Sequence, residues 1–138
     1  MELICKIAVV TLFVPFFLAA TLPYNESDEV PIGLWGGKRA GLEVTKNGGS
    51  IEFDCAHLTF EGKLRPDRQG RFSVTGTYVE EHPGPVRQSD NASSYSVLLI
   101  GQIKGEKMKL SIKRSDNKKA IGTYSLTRGQ EAFIVKCR

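Results

Sequence analysis

Residues 50–57 are Ser50-Ile51-Glu52-Phe53-Asp54-Cys55-Ala56-His57, a segment in which apolar and acidic side chains alternate. This period of two predicts a strand with Ile51, Phe53 and Cys55 on its core face and the two acids on the other face. Cys137 lies one residue from the C-terminus. A bond between the two cysteines would tie a final strand back to this early one and close the domain into a single loop.

The N-terminus is typical of a signal peptide. Lys6 precedes an apolar run over residues 7–18, which ends in the small pair Ala19-Ala20. A membrane anchor is the less favoured alternative, because the run is shorter than the ~20 apolar residues of a bilayer span and contains Pro15. We therefore predict a signal peptide over residues 1–20, a secreted or periplasmic protein, and no transmembrane span after cleavage.

Cleavage would leave two cysteines in the mature chain. It removes Cys5 and keeps Cys55 and Cys137 in an oxidising compartment, where an even number of cysteines favours one disulfide. Two free core thiols are the alternative. A bond across this long loop would stabilise the fold by about 4 kcal/mol in the chain-entropy description.

The charge is mildly basic, with a formal net charge of +4 over 138 residues. The basic residues are scattered, mostly at hairpin ends, without exposed aromatic residues between them. This pattern does not indicate a nucleic-acid groove, and it predicts no more than a weak attraction to anionic surfaces.

The chain divides into a tether and one domain. Residues 21–32 contain two prolines and several polar residues without periodicity, which predicts a flexible tether. Gly33-Leu34-Trp35-Gly36-Gly37 opens the folded part, and residues 33–138 alternate apolar and polar side chains with turn residues between the segments. No segment has a helical period of 3.6. The inward series of eight predicted strands begin at Leu42, Ile51, Leu58, Phe72, Tyr95, Met108, Gly122 and Phe133.

Eight strands joined mostly by short turns predict an all-β, antiparallel up-and-down meander. Closure into a barrel removes the exposed edges of an open sheet, so a closed barrel is the simplest arrangement and a β-sandwich is the alternative. In Gly76-Thr77-Tyr78 and Gly122-Thr123-Tyr124 a glycine precedes a tyrosine on the same face. We expect each tyrosine ring to cover its glycine where the strand bends.

The segment Gly33-Leu34-Trp35 resembles the Gly-x-Trp opening of lipocalin and avidin-like barrels. In those families the tryptophan closes one barrel end under a basic residue from the last strands. The resemblance therefore implies a calycin-like barrel in which Trp35 is buried at one end and Arg128 lies over its ring.

A second resemblance covers Gly33 to Cys137. Its motifs are Trp35-Gly36-Gly37, Glu52 to His57, Gly76-Thr77-Tyr78, Glu81-His82-Pro83-Gly84-Pro85-Val86-Arg87, and the ending from Thr127 to Cys137. These segments are similar to a set of small, mostly bacterial exported proteins of uncharacterised function, so no activity is implied. That set commonly has histidine at the position of Arg39 and glycine at the position of Leu58.

The two histidines could take part in a metal site. His57 and His82, with Asp54 or Glu81, offer ligands for zinc in a metal-dependent hydrolase. Arg39 cannot act as a ligand and would repel a cation at the same rim. We therefore predict no metal or other cofactor, and expect His57 and Arg39 close together at a polar mouth that suits an anion.

The function predicted from these features is that of a binding module. Its candidate ligand is small and anionic or amphipathic, and the candidate binding residues are Arg39, His57, Glu81, His82 and Arg87. A protein-interaction module, such as an inhibitor of a secreted enzyme that uses residues 80–94, is the alternative. Catalysis is not favoured, because the chain has no Gly-x-Ser-x-Gly motif and Cys55 is expected to be oxidised. An apolar cavity large enough for a ligand would favour the small ligand, and a filled core with an ordered protruding loop the protein partner.

Overall fold

The computed structural model describes residues 29–82 and 93–137, which fold as one closed antiparallel barrel without helices. Each strand pairs with the next along the chain, and β8 pairs with β1 to close the barrel. The strands are β1 Gly33–Gly37, β2 Ala40–Thr45, β3 Gly48–Phe53, β4 Ala56–Glu61, β5 Arg71–Glu80, β6 Ser94–Lys104, β7 Lys107–Arg114 and β8 Ala120–Arg128. The predicted all-β, eight-stranded closed barrel is confirmed. The predicted signal peptide, residues 1–20, lies outside the described residues.

One of the eight predicted strands is not part of the barrel. The opening segment Gly33–Gly37 is itself a strand, whereas residues 129–137 form no barrel strand. Phe133 and Val135, predicted to face the core, are 68% and 63% exposed. The barrel is already closed when β8 ends at Arg128, and Gly129, at φ +71°, begins the turn that leads the chain out of it.

Residues 129–137, which we call the tail, cross the outer surface of the barrel. Backbone hydrogen bonds join the tail to β1 and the turn after it, with Phe133 N donating to Gly37 O at 2.9 Å and Arg39 N to Phe133 O at 2.8 Å. The tail lies directly on two paired outward glycines, Gly36 and Gly41. A Cβ on Gly36 would come within 2.7 Å of Ala132 N, so this close approach requires glycine.

The Cys55–Cys137 disulfide is present, with a Cα–Cα distance of 5.2 Å, but not on the face that the sequence predicted. Strand β3 ends at Phe53, and Asp54 and Cys55 form a bend before β4. The alternation of faces is broken at that bend, so Cys55 is exposed rather than in the core, as is Cys137. The disulfide therefore joins the tail to the rim of the barrel from outside.

Large side chains fill the barrel interior. The largest residues with less than 2% exposure are Trp35, Leu42, Ile51, Leu58, Leu99, Leu110, Ile112, Leu126 and Val97. Phe60 faces glycines in both neighbouring strands, Gly49 and Gly76, where its ring or Cβ takes the space that a side chain would need. The ring of Tyr124 covers Gly122 as predicted, but Tyr78 is not among the nearest neighbours of Gly76.

One barrel end is covered by chain that the sequence assigned to the flexible tether. Val30 is 4% exposed and its N–H donates to Leu64 O at 2.9 Å. Glu29 forms an ion pair with Lys63 at 2.9 Å. Of the predicted tether over residues 21–32 the structure describes residues 29–32, in which Val30 packs among core residues while Ile32 is 65% exposed.

Trp35 is 1% exposed on the inner face of β1, which confirms its predicted burial. Its cross-strand neighbour is Arg128, the last residue of β8. The Arg128 side chain extends to Glu106, with 3.9 Å between Nη1 and Oε1. A cation–π contact between Arg128 and the Trp35 ring stays a prediction, since the described contact of this kind joins Arg114 to Tyr95.

Candidate functional site at the barrel rim

Four connections form one end of the barrel, which we call the loop rim. They are residues 38–39, residues 54–55, residues 115–119 and the connection over residues 81–93, of which the structure describes residues 81, 82 and 93. A backbone hydrogen bond links two of them, since Glu81 N donates to Cys55 O at 2.9 Å. Most of the candidate residues from the sequence lie at this end, although Arg87 falls outside the described residues.

Arg39 and Asp54 form an ion pair across the rim, with 2.8 Å between Nε and Oδ2. The same carboxylate accepts a hydrogen bond from Val135 N at 3.0 Å, and Asp54 O accepts one from Cys137 N at 3.1 Å. The hydrogen bond from Arg39 and then that from Val135 lower the pKa of Asp54. Asp54, predicted only as a possible metal ligand, and the backbone N–H of Arg39, a residue of the predicted polar mouth, therefore both contact the tail.

His57 lies on the outer face of the barrel rather than in its mouth. It alternates with the inward Ala56 and Leu58, so the pleat of β4 turns its imidazole outward. His57 Nδ1 lies 2.9 Å from Glu81 Oε1, and this hydrogen bond lowers the pKa of Glu81. The other oxygen of Glu81 accepts a hydrogen bond from Lys136 Nζ at 3.1 Å, so this group also contacts the tail.

The structure separates the residues that the sequence grouped as an anion site. Arg39 pairs with Asp54, whereas His57 pairs with Glu81 on the outer face. His82 follows β5 and is exposed. In residues 29–82 and 93–137 no three His, Cys, Asp or Glu side chains are arranged to share a metal ion. The described geometry therefore adds no support for the hydrolase hypothesis.

A row of aromatic side chains crosses the inner side of the rim. Ring centroids are 4.9 Å apart for Tyr124 and Phe53, 5.8 Å for Phe53 and Tyr78, and 5.4 Å for Tyr78 and Tyr95. The guanidinium of Arg114 lies 3.9 Å from the centroid of Tyr95. We call the four rings the aromatic row, and it covers the filled interior at this end.

Polar groups surround the aromatic row. Tyr95 Oη donates to Glu80 Oε1 at 2.9 Å, and Arg114 makes two hydrogen bonds to Asp116 at 2.9 and 3.0 Å. The bond from Arg114 lowers the pKa of Asp116 to about 2. Burial, assisted by the nearby phenols and Glu80, raises the pKa of Tyr78 to about 12.

Sequence reasoning missed the aromatic row as a site. Its four rings come from four different strands or strand ends, so no short motif contains them. The available signal was the alternation of side chains along each strand, because every second residue of β3, β5, β6 and β8 faces the barrel interior. Followed to the rim end of every predicted strand, this alternation would have grouped Phe53, Tyr78, Tyr95 and Tyr124.

The fold and the site define a closed, filled barrel with an aromatic rim and a tail fixed across its outside. No family model, curated protein or solved structure matches the chain. The described segments contain no helix long and apolar enough to cross a membrane.

Proposed function

We propose that the protein is an exported binding module that recognises a partner protein with its loop rim. The observation that carries the proposal is the filled interior, in which nine large side chains have less than 2% exposure. Ligand sites of lipocalin-like barrels need an enclosed cavity. Of the two binding hypotheses that the sequence left open, a filled barrel favours contact with the surface of a partner over enclosure of a small ligand.

The charges at the rim support the same choice. Among the described residues of the rim, Arg39 and Arg114 each have a carboxylate partner, Asp54 for Arg39 and Asp116 for Arg114. Arg39 nevertheless has a side chain 66% exposed. Exposed arginines beside tyrosines are enriched in protein interfaces, because both residue types combine apolar contact area with hydrogen-bonding groups.

The construction of the rim also fits a recognition surface. The connection between β5 and β6 is the longest between consecutive strands, and binding residues concentrate on loops that a rigid scaffold positions. The disulfide and the tail join at this rim, which limits its movement relative to the barrel. A disulfide is consistent with the oxidising compartment that the signal peptide predicts.

The experiment compares two matched double variants of the exported protein as baits for its secreted environment. One variant carries Arg39→Ala and His82→Ala at the rim. The control carries Lys46→Ala and Arg68→Ala in connections at the opposite end. Purified partner candidates are then titrated against each bait, with circular dichroism to verify that all baits fold.

The proposal expects one saturable protein partner, bound at least ten-fold more weakly by the rim variant than by the wild type and the control. Native mass spectrometry of the same preparations tests the small-ligand hypothesis. A stoichiometric small molecule that the rim variant loses and the control keeps would overturn recognition of a partner protein.

A further inference from the structure

The charge of the protein is unevenly distributed among the strands around the barrel. Residues 94–128, which form β6 to β8, contain eight basic and two acidic side chains, a formal charge of +6. Residues 29–82, which form β1 to β5, contain seven basic and eight acidic side chains, a formal charge of −1. The mild net charge of the whole chain therefore conceals a strongly basic side.

Four lysines concentrate this charge on the outer surface. Met108, Leu110 and Ile112 face the core, so the alternate residues of β7 face outward. The lysine face consists of Lys107, Lys109 and Lys113 of β7, together with Lys104 at the end of β6. Along β7 the three lysines span about 20 Å, given a rise of about 3.4 Å per residue.

The lysine face has no ion-pair partner among the described residues, and Glu106, which stands between Lys104 and Lys107 in the chain, pairs with Arg128. None of the ion pairs in residues 29–82 and 93–137 involves these four lysines. Lys104 and Lys107 are direct cross-strand partners, an arrangement that destabilises a sheet. Lys107 Nζ donates to Thr127 Oγ1 at 2.9 Å, which is a neutral partner. The pairing of Lys104 with Lys107 is therefore expected to lower the stability of the fold, which favours a role for the lysine face in binding.

We propose that the lysine face binds the surface of an anionic lipid bilayer, with the barrel lying on its β7 side. The outer surface of a barrel is convex, so a row of charges along it can approach a plane together but offers no walls to hold a polymer chain. Lysines are flexible point charges that suit many headgroup phosphates, whereas bidentate recognition of one phosphate favours arginine. Within residues 29–82 and 93–137 the exposed large apolar side chains are Ile32, Leu34, Phe133 and Val135, none of them on this face.

The absence of exposed aromatic residues from this face decides against single-stranded nucleic acid, which such proteins bind by stacking bases on aromatic rings. Each lysine near an anionic membrane surface contributes about five-fold to binding, which is about 1 kcal/mol. Removal of three lysines should therefore weaken binding about a hundred-fold. This inference concerns a different surface from the loop rim and does not depend on the proposed partner protein.

The test measures partition of the exported protein, with its N-terminus verified by mass, onto vesicles of phosphatidylcholine with and without 30% phosphatidylglycerol. The face variant carries Lys107→Gln, Lys109→Gln and Lys113→Gln. The control carries Lys38→Gln, Lys46→Gln and Lys63→Gln, which gives the same net charge but leaves the lysine face intact. Unfolding in urea checks that each variant is folded, and the face variant should be at least as stable as the wild type.

We expect the wild type and the control to bind the anionic vesicles and not the neutral ones, with binding lost between 0.1 and 0.5 M salt. The face variant should lose about a hundred-fold in partition. Equal losses in the face variant and the control would show that net charge alone acts, and would overturn the proposal. Binding of heparin or DNA that depends on the face, without vesicle binding, would overturn it as well.

Discussion

Arg39 and Asp54, 15 residues apart in the chain, are joined by a 2.8 Å bond between Nε and Oδ2 that fixes the β1–β2 turn to the bend after β3. Arg39 has φ +70°, a left-handed conformation that non-glycine residues seldom adopt. The backbone N–H of Arg39 donates to Phe133 O, and the other oxygen of Asp54 accepts from Val135 N. The pair thus connects the rim to the tail, and it need not bind a ligand to explain its geometry.

The tail should loosen in acid because of Asp54. Its pKa is lowered in the folded protein, so the stabilisation is present above the ordinary carboxyl value of about 4 and is lost as the pH falls through the lower, folded value. The protection factor of the Val135 N–H, which is the intrinsic exchange rate at each pH divided by the observed rate, should therefore fall below about pH 4. In Asp54→Ala the protection factor should be low already at pH 7. A protection factor in the variant as high as that of the wild type at pH 7 would contradict this assignment.

The disulfide should stabilise the barrel without being needed to form it, because all eight strands precede the tail. Replacement of Cys55 and Cys137 by serine should lower the free energy of unfolding by about 4 kcal/mol, which is the expected effect of opening a loop of this length. Far-UV circular dichroism should keep its β-sheet form at 25 °C, while a protease should remove the tail more quickly. An unchanged urea midpoint would refute the stabilising role.

The period of two carried most of the fold prediction. Ile51, Leu58 and Leu110 face the core, because side chains alternate along a strand and a shift by one residue would turn the polar side chains inward instead. Phe133 and Val135 show the same period but lie outside, since their alternation stacks Ala132 and Ile134 against Gly41 instead. A local alternation of apolar and polar residues predicts that one face of a segment is buried. It does not distinguish a segment packed against the core from one packed against the outer surface of the barrel.

The candidate site was less predictable for a different reason. Arg39 and His57 were expected at one rim, with Asp54 near His57, because turns at alternate strand ends of a meander meet there. The ion pairs of Lys136 with Glu52 and Glu81 depend on the route of the tail, which the alternation of residues 133–137 assigned to a strand. Contacts between segments more than 80 residues apart leave no trace in either segment alone.

The outward glycines should be essential for the tail. Gly41 has no positive φ, so Gly41→Ala adds only a Cβ, which would lie 2.7 Å from the Cβ of Ala132. We expect the substitution to lower the free energy of unfolding by about 1–3 kcal/mol through overpacking. Ala132→Gly removes the opposing methyl group and should restore part of that loss in the double variant. Simple additivity of the two changes in urea unfolding would show that the two Cβ positions do not meet.

The fold should tolerate the substitution of Trp35 by phenylalanine but not by alanine. Its indole Nε1 is buried and has no hydrogen-bond partner among the described residues. Trp35→Phe removes this unsatisfied donor along with some volume, so we expect a loss of less than about 1.5 kcal/mol, whereas Trp35→Ala should cost about 3–5 kcal/mol. As Trp35 is the single tryptophan, the wild-type fluorescence should be blue-shifted and resist acrylamide. Equal losses in both variants would indicate that the indole has a partner.

Ionisation of Tyr78 should destabilise the aromatic row at high pH. Burial is the main cause that raises the pKa of Tyr78 to about 12, from about 10 in an unfolded chain. Between these values the unfolded chain loses a proton that the folded one keeps, so stability falls as the pH rises from about 10 to about 12. Absorbance at 295 nm should show a late phenolate step in the wild type that Tyr78→Phe lacks. The variant should also lose less stability over this pH range. If the absorbance component missing from Tyr78→Phe titrates near pH 10, the Tyr78 hydroxyl is not shielded, and the aromatic row does not cover the interior as described.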